Sequence, residues 1–301
     1  MMLLGVNPVA GLDHIFQHPF LRYAYLAGTA IALASGLVGY FVVLRAQVFT
    51  GDALSHVAFT GAVAAVAGGV SVLLGLYVSC VVIAVAMALF GRRGRADDTV
   101  IGLVFAWVLG LGALFLAIYS SSARGTDATT GVNVLFGTIF GLSPGQALID
   151  SLVSVGVVLG VVGIARPLMF SSVDEAVASA RGVPVRLLGA AFLVLVGLTA
   201  AAATQAVGAL LLLGLLAAPA GAAQRLTARP YVGMWLSAAI AVASVWIGLT
   251  IAYLAPRVTP SFGILAVATA FYLMSFAATS ARRWLTTGRP TASEPLETYP
   301  L

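Results

Sequence analysis

Asp52 and His56 stand four residues apart in the segment Thr50-Gly51-Asp52-Ala53-Leu54-Ser55-His56. On a helix that spacing puts both side chains on one face, so a carboxylate oxygen and an imidazole nitrogen converge on one point. This donor pair suits zinc, manganese, iron or nickel, whereas calcium and magnesium prefer all-oxygen shells. Two ligands are too few for a tight site, since structural zinc takes four. Weak holding suits an ion that must also leave. Two copies about a two-fold axis would supply four ligands. The competing reading makes Asp52 a helix cap and His56 a satisfied core residue. The cost of an idle acid and imidazole in apolar surroundings favours the ligand reading.

Two further clusters carry chemistry. His14 and His18, with Asp13 beside them, repeat the spacing of four and could collect metal at an outer mouth; the alternative is an interfacial helix with Phe16 and Phe20 in lipid. The run from Ser171 to Pro184 has unusually complete start and stop signals. Ser172 and Glu175 have the spacing of a capping box, and Asp174 and Glu175 favour the positive end of a helix. Gly182 suits a left-handed C-terminal position and Pro184 blocks continuation. This two-turn helix, which also carries Arg181, reads equally as a connector or as a rigid peg docked into a partner. Cys80 is the single cysteine, which excludes an intrachain disulfide and leaves a packing role.

The elements that must position these residues are membrane spans. The chain has 301 residues, 61% hydrophobic and 8% charged, with a mean hydropathy of +1.07 and a net charge of +5. A soluble domain averages about a quarter charged residues. This composition excludes a soluble domain, a disordered chain and a nucleic-acid-binding module. All fifteen cations are Arg. Without Lys, the Gly-rich Walker-type phosphate loop has no residue to reach the β/γ-phosphates. Any ATP-driven step therefore belongs to another polypeptide, and the chain itself is not expected to be an enzyme.

Apolar runs of about twenty residues fall at 22–44, 49–67, 70–90, 100–119, 146–165, 187–204, 206–224, 231–253 and 262–280. The chain is thus an all-α polytopic membrane protein with eight or nine transmembrane helices. The choice between eight and nine turns on 187–224, a hairpin with almost no loop, where Pro219 is expected to break the second arm. The stretch 131–143 is apolar but too short to span, which suggests a re-entrant or short outer helix. With nine crossings and a cytosolic C-terminus, twelve Arg fall inside and three outside: Arg22, Arg124 and Arg257. That asymmetry sets the orientation. Residues 1–21 are then an extracytoplasmic segment, possessing no cleavable signal pattern, 22–281 the transmembrane domain and 282–301 a disordered cytosolic tail. A helix entering from the cytosol near residue 47 carries Asp52 and His56 ~8–14 Å deep, at ~1.5 Å per residue. Transport sites tend to lie near the midplane.

With these residues in hand, the sequence resembles the membrane permease subunits of ABC importers for zinc and manganese, from about Tyr25 to Phe276. The most specific piece is Gly39-Tyr40-Phe41-Val42-Val43-Leu44-Arg45 followed by Gly51-Asp52-Ala53-Leu54-Ser55-His56. Asp174-Glu175-Ala176 to Gly182-Val183-Pro184 is similar to the family's cytosolic coupling helix. Gln205-Ala206-Val207-Gly208, with Leu210 to Pro219-Ala220, is similar to a late family motif. Leu135-Phe136-Gly137 also fits, but Thr138 stands where many members carry an acid or amide, so this loop is given no metal role. The resemblance implies a permease-type bundle, a homodimer, two cytosolic ATP-binding subunits and an extracytoplasmic metal-binding protein. It implies that Asp52 and His56 line the path of transported zinc or manganese, with no permanent cofactor, in a bacterial cytoplasmic membrane. A gradient-driven secondary transporter is the alternative, but such proteins usually need several intramembrane acids, and here Asp150 lies only near a span's outer end. An intramembrane aspartyl protease would need a second paired Asp. Ser55 and His56 are adjacent and diverge by about 100° on a helix, so they form no dyad.

Overall fold

The computed structural model describes residues 19–91, 97–121, 134–255 and 257–287. The described residues form helices joined by short connections, with no strand among them. In chain order these are α1 (Pro19–Leu44), α2 (Val48–Ala67), α3 (Val72–Phe90), α4 (Asp98–Ser121), α5 (Pro144–Val173), α6 (Glu175–Ala180), α7 (Val185–Val207), α8 (Leu212–Leu226), α9 (Pro230–Leu254) and α10 (Pro260–Thr287). Between α4 and α5, residues 134–136 are helical and Ile139–Gly141 form one 3-10 turn. Among the described residues, seven helices are long and apolar enough to cross a membrane. The other two long elements fall short for different reasons. α8 has fifteen residues, or about 22 Å against a hydrocarbon core of about 30 Å. α2 is long enough but has Asp52 and His56 in its first half.

α1 and α7 are the most buried of these helices and run through the core, while α4 is the least covered. α1 packs on α5, α8 and α9; α7 packs on α3, α5 and α2. α2 sits between α3 and α4, and α4 touches little else. Small residues allow the close approaches expected where apolar surface alone cannot drive helices together in lipid. In α2 and α3, Gly61 and Gly75 lie with their backbones in contact. Ser237 of α9 donates to the Gly36 carbonyl of α1 at 2.7 Å, and Gln224 of α8 donates to the Tyr40 carbonyl at 3.1 Å.

Three local expectations need correction. Pro219 lies inside α8 and does not break it. The break falls earlier, at Gly208, whose φ of +98° ends α7. Gly208 lies against the backbone of 135–137, and Gly137, with φ +75°, lies against that of 206–208. A Cβ at either position would collide with main chain, so glycine, not proline, sets the interruption. Ser172 does not cap the short helix either. α5 runs through Val173, so the Ser172 hydroxyl donates back to the Leu168 carbonyl at 2.6 Å. Finally α10 extends through Thr287, so residues 282–287 of the expected tail are helical; residues 288–301 lie outside the described residues.

Candidate metal site on the second helix

α2 begins at Val48, behind Gln47 in the N-cap position, whose side chain makes no capping bond. Asp52 is therefore inside the helix, and a capping role does not account for it. Asp52 and His56 are half-buried, while Gly51, Ala53, Leu54, Ser55 and Val57 are buried. The pair thus occupies the less covered seam of α2, facing α4. Phe105 of α4 meets the His56 ring edge to face, with centroids 5.0 Å apart and planes at 82°. Asp52 lines a recess of about 440 Å³ together with Phe49, Asp98, Ile101, Gly102 and Phe105. Asp98, in the first turn of α4, brings a second carboxylate to this recess. Sequence reasoning passed over it, because an acid in a first turn is ordinarily accounted for by the helix dipole.

Among the described residues, neither the Asp52 carboxylate nor the His56 imidazole makes a hydrogen bond or ion pair. No group of three or more His, Cys, Asp or Glu side chains is gathered closely enough to hold an ion, among the described residues. One protomer therefore offers an oxygen and a nitrogen on a partly open flank, without a closed shell.

The covered faces of α2 are held by side chains bonding to backbone carbonyls. Ser55 Oγ lies 2.7 Å from the Asp52 carbonyl and 3.0 Å from the Ala209 carbonyl, so its one proton serves either or both. From α3, Cys80 donates to the Leu54 carbonyl at 3.4 Å, and Ser79 Oγ lies 3.3 Å from the Val57 carbonyl and 3.1 Å from the Leu76 carbonyl of its own helix, so its one proton is shared. Thr60 donates to the Val108 carbonyl of α4 at 2.9 Å. These bonds fix the rotation of α2 about its axis and so decide which way Asp52 and His56 face.

At the other candidate region, Asp174 is the N-cap of α6, and its Oδ1 accepts the Val177 N–H at 2.9 Å. Glu175 is the first helical residue and Arg181 the C-cap. Gly182 has φ +81° and donates to the Ser179 carbonyl at 3.0 Å. Pro184 precedes α7. Ala178 is buried and seats α6, while Asp174, Arg181, Gly182 and Pro184 are exposed and Glu175 is half-buried. A cleft of about 790 Å³ runs beside α6, lined by residues that include Glu175, Ser179, Pro184 and Arg186. His14 and His18 lie outside the described residues.

Comparison with known proteins bears on these geometries. Residues 17–279 match the ABC 3 transport family. The chain is 28% identical over 265 residues to a manganese transport system membrane protein, MntC, of Halalkalibacterium halodurans, covering 88% of this chain and 89% of that one. It is 31% identical over 237 residues to the manganese transport system membrane protein MntD of Bacillus subtilis, covering 73% and 79%. Among solved structures it resembles PsaBC from Streptococcus pneumoniae, determined in complex with Fab. The TM-score is 0.79 at 25% identity, over 92% of this chain and 98% of that one.

Proposed function

Because the chain belongs to the ABC 3 transport family, we propose that it is the membrane subunit of an ATP-driven importer and forms the path of a divalent transition metal, manganese or zinc. The observation that carries this reading is the placement of Asp52 and His56 together on the open seam of α2, one turn inside the helix and over a recess. An ion in transit needs ligands that are reachable and a shell that is incomplete, so that it can both enter and leave. The names of the relatives support manganese as cargo. Asp52 supplies the hard oxygen and His56 the borderline nitrogen that exclude alkali and alkaline-earth ions in favour of transition metals. A second copy of the chain, with its own Asp52 and His56, would complete a four-ligand site.

In this reading all nine long helices cross the membrane, including short α8 and polar α2, with the N-terminal segment outside and the C-terminus in the cytosol. The Arg asymmetry supports that orientation. The exposed, sharply terminated α6, with Asp174, Glu175, Arg181, Gly182 and Pro184, is the coupling element that meets one of two cytosolic ATP-binding subunits. An extracytoplasmic metal-binding protein delivers the ion, with His14 and His18 near its point of entry.

The test is uptake of radiolabelled manganese into proteoliposomes holding this chain and its ATP-binding subunit. Uptake should require ATP and should vanish for Asp52→Asn at low metal, while insertion and assembly are unchanged. Normal uptake by Asp52→Asn removes the ligand assignment. Uptake driven by an ion gradient alone removes the importer reading.

A further inference from the structure

Asp150 of α5 is completely buried, and nothing in the ion path described so far uses it. Tyr77 of α3 donates to its Oδ1 at 2.6 Å. The Gln205 amide of α7, assigned the orientation in which its nitrogen donates, stands 3.1 and 3.0 Å from Oδ1 and Oδ2. The carboxylate thus gathers one donor from α3 and one from α7. Both elements hold α2, which also packs on α4. α3 holds it through Ser79 and Cys80, bonded to the carbonyls of Val57 and Leu54. The connection just past α7 holds it through Ala209, whose carbonyl lies 3.0 Å from Ser55 Oγ.

The path from Gln205 to Ala209 is short and stiff. The Gln205 carbonyl accepts the Thr138 N–H at 3.1 Å. Past the break at Gly208, Ala209 and Leu210 donate to the carbonyls of Val134 and Leu135 at 3.3 and 3.4 Å. Irregular backbone in a membrane protein is tolerated only where such partners satisfy it. The broken end of α7 is therefore pinned on one side by the 134–138 segment and on the other by Asp150 through Gln205. A buried polar network with its members satisfied rigidifies what it joins.

We propose that Asp150, with Tyr77 and Gln205, is a positioning residue for metal transport: it locks together two of the supports of α2 and thereby sets where Asp52 and His56 present their donor atoms. It touches no ion itself. This inference rests on the assignment of Asp52 and His56 as ligands. Its consequence is that relaxing the lock changes how well the metal is held while leaving the ligands in place.

The experiment compares wild type, Tyr77→Phe and Asp150→Asn in the complex with the ATP-binding subunit, with Asp52→Asn alongside. Tyr77→Phe removes a single hydroxyl, so it keeps the inference testable even where Asp150→Asn assembles poorly. The half-saturating manganese concentration should rise by about two- to thirtyfold, the range seen when a coupling residue outside a site is changed. The ratio of manganese to zinc uptake should shift in the same variants. Backbone hydrogen exchange across residues 50–60 should quicken, while that of α1 stays as in wild type. Reduced yield with unchanged half-saturation and unchanged exchange across 50–60 would overturn the inference and leave Asp150 a purely structural group. If Asp52→Asn transports normally, the ligand assignment fails. Unchanged exchange across 50–60 in Tyr77→Phe and Asp150→Asn then still overturns the lock independently of cargo.

Discussion

Asp52 and Asp150 are both carboxylates carried by long helices, and the protein treats them in opposite ways. Asp150 has no exposed surface and receives donors from two other helices. Asp52 is half-buried, borders a recess and, among the described residues, has no donor at all. An intramembrane acid costs ~2.5–3.5 kcal/mol even on the lenient insertion scale. At Asp150 that cost is offset inside the fold, by hydrogen bonds that also join helices. At Asp52 no described residue offsets it. The difference separates a carboxylate that serves the architecture from one available to a cation, and it does so without reference to any relative.

The strongest way to break this contrast is to remove charge at Asp52 or the ring at His56. Asp52→Asn and His56→Ala should each reduce manganese uptake to background, measured with radiolabel at low metal, and leave the solubilised protein as stable as wild type. A loss of stability comparable to the loss of transport would place Asp52 in the same class as Asp150. The reverse experiment is Asp150→Leu, which strands the Tyr77 hydroxyl and the Gln205 amide. It should lower stability by about 3 kcal/mol or more, read as a lower thermal midpoint in detergent, whereas Asp52→Leu should cost nothing measurable.

A third substitution sharpens the contrast from the cytosolic side. Gly182 has φ +81°, where a β-branched residue is strained by about 1–2 kcal/mol. Gly182→Val should cut the maximal uptake rate severalfold at unchanged half-saturating metal, with ATP hydrolysis persisting in the complex. In the proposed roles both carboxylates act on the ion or its holding, so this split would distinguish α6 from either. The smallest effect is expected at Phe105, which meets the His56 ring edge on at 5.0 Å. Such a contact is worth about 0.5–1.5 kcal/mol. Phe105→Leu should therefore raise half-saturating manganese by about two- to tenfold and leave the maximal rate near wild type.

Much of the helical order was legible because membrane helices declare themselves by length and apolarity, properties of contiguous residues. Eight of the nine apolar stretches each match one helix, while 206–224 takes in the end of α7 and the break before α8; the ends of α1, α2 and α3 agree to within a few residues. The misses share one cause. Pro219 was expected to interrupt a helix on intrinsic propensity, yet α8 carries it in its interior. The true interruption at Gly208 is dictated by the main chain of 135–137, some seventy residues earlier in sequence. Ser172 had the spacing of a cap, but α5 continued past it and left capping to Asp174.

The two carboxylates divide along the same line. That Asp52 and His56 share a face follows from a spacing of four on a helix, a local relation that the amino-acid order determines by itself. So do the membrane-spanning character of the chain and the missing Lys that a phosphate-binding loop would need. Which side of α2 that face looks toward was decided only in three dimensions, by Ser55 against Ala209 and by Ser79 and Cys80 against α2 carbonyls. Asp150 was read from sequence as an acid near the end of a span. Its partners, Tyr77 and Gln205, lie 73 residues before it and 55 after, and no periodicity connects them. A hydrogen bond depends on where two helices happen to cross, and a crossing is a property of the packed bundle.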